Sequence, residues 1–454
     1  MGGKNVCTLY KSCIKRKHCN EMKGSLYVVD LLYQLHRIAR GIKNRDRNDA
    51  KKIHDYIDLS LVDPEKKKPL DELIDIEDKV AHLIAISSFV ESTIEKCIFP
   101  ICVLDGKAPE LKRRKLEERK RNRIRAQEEK SKIADKTSPE YVKQSKKCVE
   151  IRDSHYRDTN ELLSAMGLIT VHSPGEADSQ CAAIALGLPD IAGVITDDSD
   201  VLIFGGPRIV KNFNRKSSTI DEIKLSDILE FLKNKANQIL AENGRPLITK
   251  FKRRDFVTYQ ILQGTDYNEP INLDNVILDN KAKESKILRF IKNSKASKYF
   301  AGAFRSTHGS KKDGPDPHKL FELLVLNDFS MSKLFDQLSL RGTDFESECQ
   351  EAHTYYLNAD VIDPETIDRT VTLPNLEKMI DILHKRNHFN IKFVNKLFNG
   401  LLHMYNLFYK IPFGSDWYNS FRSYQIRFQQ NKLYGKKKLS AYTSQGSGAI
   451  DPGD

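Results

Sequence analysis

Seven acidic residues in this chain have the type and spacing to share one piece of chemistry: Asp30, Asp105, Glu176, Asp178, Asp198, Asp200 and Asp266. Three of the segments that carry them are apolar runs that end in acid, Val28-Val29-Asp30, Val103-Leu104-Asp105 and Ile195-Thr196-Asp197-Asp198. An all-oxygen donor set suits Mg²⁺, with Mn²⁺ able to substitute, rather than zinc. Two such ions, roughly 4 Å apart, activate water and stabilise both the attacking and the leaving oxygen of a phosphodiester. Carboxylates gathered that closely repel one another strongly unless cations neutralise them.

Each acid also has a plainer use. Ser173-Pro174-Gly175-Glu176 reads as a capping box with Pro at the first helical position, which would make Glu176 a helix cap. Asp197 and Asp198 are candidate N-caps for a segment beginning at Ser199. Asp30 and Asp105 are compatible with ordinary loop positions. Asp198-Ser199-Asp200 after a strand is similar to the aspartyl-nucleophile motif of haloacid-dehalogenase phosphatases, but Leu202 stands where that motif has Thr or Val. Cys7, Cys13, His18 and Cys19 cluster locally, yet their spacing matches no zinc knuckle, and reduced thiols are expected.

The elements that must position the acids are legible in outline. Leu26 to Val29, Ile98 to Leu104, Leu168 to Val171 and Ile191 to Ile195 read as buried strands. Helical stretches alternate with them, which predicts an α/β fold with a mostly parallel central sheet flanked by helices. Ligands on such sheets bind beyond the carboxyl ends of the strands, where the acids would converge. Residues 107–132 are dense in Lys and Arg and free of Gly and Pro after Pro109, predicting a long polar helix beside the acids. After Asp200 come a basic turn with Lys250, Lys252, Arg253 and Arg254, the run Gly264-Thr265-Asp266-Tyr267, and further helical patterns to about Arg427. The tail from Gly435 reads as disordered.

A formal charge of +12 and a pI near 9.1 favour a polyanionic partner, nucleic acid first. No apolar run is long enough to span a bilayer. The N-terminus has no signal-peptide core. Val6 stands where a myristoylation motif has Ser or Thr. An intracellular protein, nuclear or cytoplasmic, is expected, without membrane partners.

Taken together and in order, these segments resemble the flap endonucleases of the structure-specific 5′ nucleases (the xeroderma pigmentosum group G / Rad2-like superfamily). The matching stretches are Met1-Gly2, Val28-Val29-Asp30, Val103-Leu104-Asp105-Gly106-Lys107-Ala108-Pro109, Ser173-Pro174-Gly175-Glu176-Ala177-Asp178, Thr196-Asp197-Asp198-Ser199-Asp200 and Gly264-Thr265-Asp266-Tyr267. Glu351-Ala352-His353 and Val361-Ile362-Asp363-Pro364 extend the likeness towards residue 410.

The resemblance implies metal-dependent cleavage of DNA where duplex meets a 5′ single strand, by a monomer, in replication, repair or recombination. It implies two Mg²⁺ ions held by the seven acids, and Lys112 and Arg119 reaching the scissile phosphate. Those two lie seven residues apart, hence on one helical face. Lys107, Arg113 and Arg123 would line the path of the 5′ strand. Gly2, His36, Lys252 and Arg253 would make further DNA contacts, His36 standing where the family has a stacking tyrosine, with Tyr33 as the other candidate.

The implied regions are an N-terminal nuclease part (1–105), a basic helical arch (106–150), an internal nuclease part (151–266), a helical duplex-binding region (267–430) and a tail. Three departures are visible: Asp178 stands where the family has Glu, Asn268 to Asn280 lacks the glycines of the family's duplex-gripping hairpin, and no sliding-clamp peptide is detected. A catalytically silent nucleic-acid-binding scaffold and an RNA-cleaving relative are the alternatives.

Overall fold

The computed structural model describes residues 9–42, 56–62, 65, 76, 79–136, 138–214, 217–271 and 316–409. Residues 1–404 form one unit, which holds the sheet and the acids, and 405–454 form another. The expected glycine-free turn beyond Ile271, the stretch 308–315 and the tail fall outside the described residues, as does Gly2.

The strands are β1 (Lys15–His18), β2 (Leu26–Asp30), β3 (Phe99–Leu104), β4 (Thr170–His172), β5 (Ile191–Ile195), β6 (Arg208–Lys211) and β7 (Thr219–Lys224). They form one sheet in the order β1-β7-β6-β5-β2-β3-β4. Pairing is parallel from β6 through β4 and antiparallel at β6–β7 and β1–β7. The four strands expected from sequence are the contiguous block β5-β2-β3-β4, with the edges of β2, β3 and β4 shifted by one or two residues. β2 and β3 read as continuous apolar runs because both of their faces are covered: every residue of β3 is buried. β1 was not legible, since Lys-Arg-Lys-His carries no apolar signal. It pairs as a charged edge strand, with Lys15 Nζ 2.6 Å from Asp227, Arg16 Nε 3.1 Å from Asp221 and Lys17 Nζ 3.3 Å from Glu222.

Helices α1 (Leu31–Ile42), α2 (Ala81–Glu95), α3 (Arg113–Ser131), α4 (Pro139–Lys147), α5 (Asp153–Ala165), α6 (Ala177–Gly187), α7 (Asp200–Ile203), α8 (Leu225–Glu242) and α9 (Arg253–Gln263) accompany the sheet. Beyond the undescribed 272–315 come α10 (Pro317–Leu326), α11 (Met331–Leu338), α12 (Asp344–Leu357) and α13 (Ile391–Tyr409). α1 buries Leu31, Gln34, Leu35, Ala39 and Ile42, the stripe of a helix laid on a core. α3 is the polar helix expected over 107–132; only Ala126 of it is buried. No helix among the described residues is long and apolar enough to cross a membrane.

The capping-box reading of Ser173 to Glu176 is corrected. α6 starts at Ala177, so Pro174 is not its first residue, and Glu176 occupies the cap position without a side-chain capping bond. Instead, Ser173 Oγ donates to the Glu176 carbonyl at 3.0 Å, which leaves the Glu176 carboxylate free to point elsewhere. Of the cysteine cluster, Cys7 lies outside the described residues; Cys13 Sγ donates to the Asp227 carbonyl and Cys19 Sγ to the Ser217 carbonyl, while His18 Nδ1 accepts from Asn20 N–H.

Candidate active site

Parallel pairing delivers the acids to one edge. Asp30 is the last residue of β2, Asp105 follows β3, and Asp198 and Asp200 follow β5, so all emerge at the carboxyl end of the same sheet. Backbone ties then fix the loops. Ala177 N–H donates to Asp105 Oδ1 at 2.7 Å, and Gly106 N–H donates to the Gly175 carbonyl at 2.7 Å. These two bonds bind the loop after β3 to the start of α6, bringing Asp105 beside Glu176 and Asp178. Only glycine fits at 106, because a Cβ would stand 2.0 Å from the Ser173 carbonyl oxygen. Asp30 Oδ1 accepts from Tyr33 N–H at 3.0 Å, and Asp198 Oδ1 from Asp200 N–H at 3.1 Å. The N-cap reading of Asp197 and Asp198 is corrected: the helix begins at Asp200 with Ser199 at its N-cap, and the Asp198 bond closes a turn just before it.

Asp266 arrives from the other side. α9 ends at Gly264, whose φ of 88° suits glycine, and the Thr265 hydroxyl accepts from Tyr267 N–H at 3.1 Å to turn the chain. The basic helix meets this turn. Lys112 Nζ donates to Glu176 Oε1 and lies 3.7 Å from Asp266 Oδ2, while Arg119 Nη2 is 2.5 Å from that same oxygen. Lys112 closes the short 3₁₀ turn Glu110–Lys112 just before α3 and Arg119 lies within α3, and both cations reach the same Asp266 oxygen. The Lys112 side chain is only 12% exposed against 41% for Arg119, so Lys112 is built into the site and Arg119 stands at its rim.

The electrostatics divide the acids in two. Burial, then the charge of Asp105, lifts Asp30 well above the usual carboxylate range. Burial also lifts Asp105, with Glu176 adding to it, and lifts Asp178, with Asp30, Asp198 and Asp200 adding. Asp200 is raised by burial and by Asp198 and Asp266. Asp266 goes the other way: burial pushes it up, but the Arg119 and Lys112 charges outweigh burial and hold it below its ordinary value. For Lys112, burial pulls the ammonium down, yet Glu176 and Asp266 keep it above the usual lysine range.

Two observations bear on whether divalent cations fit here. The donors are all carboxylate oxygens, the hard ligands that Mg²⁺ takes. Asp178 Oδ1 is buried and has no hydrogen-bond partner, an arrangement that costs free energy unless a cation or water satisfies it. Both observations fit. Among the described residues no three acidic, histidine or cysteine side chains close around a single point.

Sequence reasoning missed the tyrosines behind the acids. The Tyr267 hydroxyl donates to Glu176 Oε2, and the Tyr356 hydroxyl donates to Asp200 Oδ2 at 2.9 Å. Their rings meet edge-on at 5.0 Å, with Phe204 and Tyr355 packed against them. Tyr267 lay within the matched Gly264–Tyr267 motif; Tyr356, four residues after Ala352, carried no signal of its own.

The expected DNA contacts scatter more widely. Lys107 and Lys252 are exposed, and Arg113 is exposed beside Glu110 at 3.0 Å. Arg123 meets Glu150 at 2.6 Å. Arg253 gives Nε to the Ile203 carbonyl at 3.1 Å and Nη2 to the Tyr356 carbonyl at 2.5 Å, ties that hold α9 against α7 and α12. Tyr33 gives its hydroxyl to Asp197 at 3.2 Å, while His36 is half-buried on α1.

The family model described as the XPG I-region matches residues 167–266, the stretch from β4 to Asp266. Flap endonuclease 1 of Glycine max is 31% identical over 195 residues, 42% of this chain and 46% of that protein. Flap endonuclease 1 of Tetrahymena thermophila is 25% identical over 320 residues, covering 69% of each. The Homo sapiens protein of that name is 25% identical over 316 residues, 69% of this chain and 68% of its own. The match to the soybean relative thus spans less than half of that relative's length, while the other two extend over about two thirds. Among solved structures, the catalytic core of Rad2 in complex with DNA substrate (complex III) aligns over 87% of this chain and 99% of its own at a TM-score of 0.50 and 17% identity, a likeness of fold.

Proposed function

We propose that the chain is a member of the XPG/Rad2 flap-endonuclease family, a structure-specific 5′ nuclease that hydrolyses DNA phosphodiesters at 5′ flaps or 5′ ends with two Mg²⁺ ions, Mn²⁺ substituting. The observation that carries the reading is the meeting of Lys112, at the foot of the basic helix, and Arg119, within it, with Glu176 and Asp266. A phosphodiester placed there would have cations on one side and carboxylates on the other.

Asp30, Asp105, Glu176, Asp178, Asp198, Asp200 and Asp266 would hold the ions. Bound in such a site, divalent ions lower the pKa of water and neutralise charge on the attacking and leaving oxygens. The chain's own residues do the rest. Lys112 and Arg119 exchange their carboxylate partners for the non-bridging oxygens of the scissile phosphate, stabilising negative charge where it grows. Tyr267 and Tyr356 orient Glu176 and Asp200 from behind, one carboxylate oxygen each, as outer partners of ligands do. Lys107, Arg113 and Arg123 attract the strand electrostatically, which makes binding weaken with salt. The protein acts as a monomer on DNA with duplex and 5′ single-strand junctions.

The substrate class is tested by offering four labelled molecules with Mg²⁺: a 5′-flap DNA duplex, a blunt duplex, the flap with an RNA strand, and a small phosphate monoester. Preferential cutting of the DNA flap near its junction supports the reading. Cutting of the RNA flap alone would move it to RNA, and binding without any cutting would leave a silent scaffold.

A further inference from the structure

α1 and α3 bring four basic side chains together outside the carboxylate cluster. His36 and Arg40 lie one turn apart on α1, and Arg119 and Arg123 lie one turn apart on α3. His36 Nδ1 and Arg40 Nε are both buried and both lack a hydrogen-bond partner. Buried polar groups are rarely left unpaired without a ligand, water or function to account for them. Burial, followed by the charges of Arg40, Arg119 and Arg123, pushes His36 down to about 4, so these guanidinium groups act on the ring from both helices. Arg119 also reaches Asp266, which joins this cluster to the candidate active site.

We propose that His36, Arg40 and Arg123, beside the Arg119 assigned to the scissile phosphate, form a subsite for a phosphoryl group, and that its ligand is the 5′-terminal phosphomonoester of the DNA strand. The inference rests on the nuclease reading above and names an end-group that the reading leaves open. A terminal monoester carries about −1.5 to −2 charge near pH 7, against one negative charge for a backbone diester. Two guanidinium groups, Arg40 and an Arg123 that exchanges Glu150 for the phosphate, and an imidazole edge repay that extra charge with charge-assisted hydrogen bonds. The subsite uses the nitrogen edge of His36, whereas a stacking role uses only its face. Held in this way, a 5′ phosphate fixes how far the strand end lies from Asp266.

The test is equilibrium binding by fluorescence anisotropy, in EDTA, of one duplex with a short 5′ overhang bearing either a 5′ phosphate or a 5′ hydroxyl. The wild-type protein should bind the phosphorylated end about tenfold more tightly. His36→Phe, which keeps a flat ring but removes Nδ1, and Arg40→Gln should each bring that ratio to about twofold or less. Equal binding of both ends by the wild type overturns the proposal, as does a ratio that survives both substitutions. A third duplex carries a methylphosphonate at its first internal linkage and a 5′ hydroxyl. If this neutral linkage, rather than the terminal group, controls affinity, the subsite holds a backbone phosphate and the terminal assignment is wrong. Failure to bind any of the duplexes would instead sink the nuclease reading on which the subsite rests.

Discussion

Arg119 Nη2 lies 2.5 Å from Asp266 Oδ2, so the basic helix closes onto the turn that follows α9. With Lys112 beside Glu176, two of the seven acids are neutralised by the protein's own cations, while Asp30, Asp105, Asp178 and Asp200 repel one another in a buried cleft. On the function proposed above, an incoming phosphate would take over the cations and divalent ions would take over the acids.

Lys112→Ala and Arg119→Ala should therefore slow chemistry more than they weaken capture. We expect single-turnover cleavage to fall by about 10²-fold or more, with Kd for the flap changing less than about threefold. Rapid-quench kinetics beside anisotropy titrations would check this. Equal losses in rate and affinity would make the two residues anchors only.

Removing the hydroxyl from Tyr267 or Tyr356 takes away the hydroxyl partner of Glu176 or Asp200 without changing ring packing. Tyr267→Phe and Tyr356→Phe should each raise the Mg²⁺ concentration needed for half-maximal cutting by about tenfold. A Mg²⁺ titration of rate reads this directly, and an unchanged midpoint in both variants would reduce the tyrosines to packing.

The core of the sheet and most of the site were legible because both rest on short-range signals. β2, β3 and β5 are apolar runs bounded by acid, and Lys112 and Arg119 stand in one dense basic run. The hidden features depend on contacts between distant segments. β1 is a strand only because β7 supplies hydrogen bonds and Asp221, Glu222 and Asp227 supply charge. Tyr356 meets Asp200 across 156 residues of sequence. Glu176 looked like a cap because its local pattern is that of a cap; Lys112 and Tyr267, far away in sequence, give its carboxylate another use. The Arg253 guanidinium holds two carbonyls, 50 and 103 residues away, contacts that no local pattern announces.

Asp178→Asn should stabilise the metal-free protein at pH 7.5 by about 1–3 kcal/mol, since it removes a buried carboxylate with an unpartnered oxygen. The sign comes from linkage. The folded-state pKa of Asp178 is raised, so the folded state favours the protonated form, and stability is lost as pH rises through that pKa. Below about pH 4 the carboxyl is protonated in both states and the gain should vanish. With Mg²⁺ present the order should reverse. Thermal melts of both proteins across this pH range, with and without Mg²⁺, test it; a variant less stable than wild type at pH 7.5 in EDTA would contradict the assignment of Asp178 as an uncompensated buried charge.

His82, buried in α2, stacks on His155 of α5 at 4.3 Å, and its Nε2 lies 3.1 Å from Asp158 Oδ2. Burial, then the neighbouring His155, pushes His82 down to about 4 despite Asp158. A lowered histidine pKa means that the unfolded chain takes up the proton first, so stability falls as pH drops from about 6.5 towards 4. His82→Phe should lose less stability than wild type between pH 7 and pH 5. Urea unfolding at the two pH values measures the difference, and parallel losses would show that the pair does not titrate as described.

The central claim is that the strand-end acids perform metal-dependent hydrolysis, and the most direct measurement is cleavage of a 5′-labelled flap duplex by wild type, Asp105→Asn and Asp198→Asn, each with Mg²⁺ and with EDTA. We expect cut products from wild type in Mg²⁺ alone, and a loss of about 10²-fold or more in each variant while flap binding persists. Cutting that continues in EDTA, or that survives both substitutions unchanged, would contradict the claim.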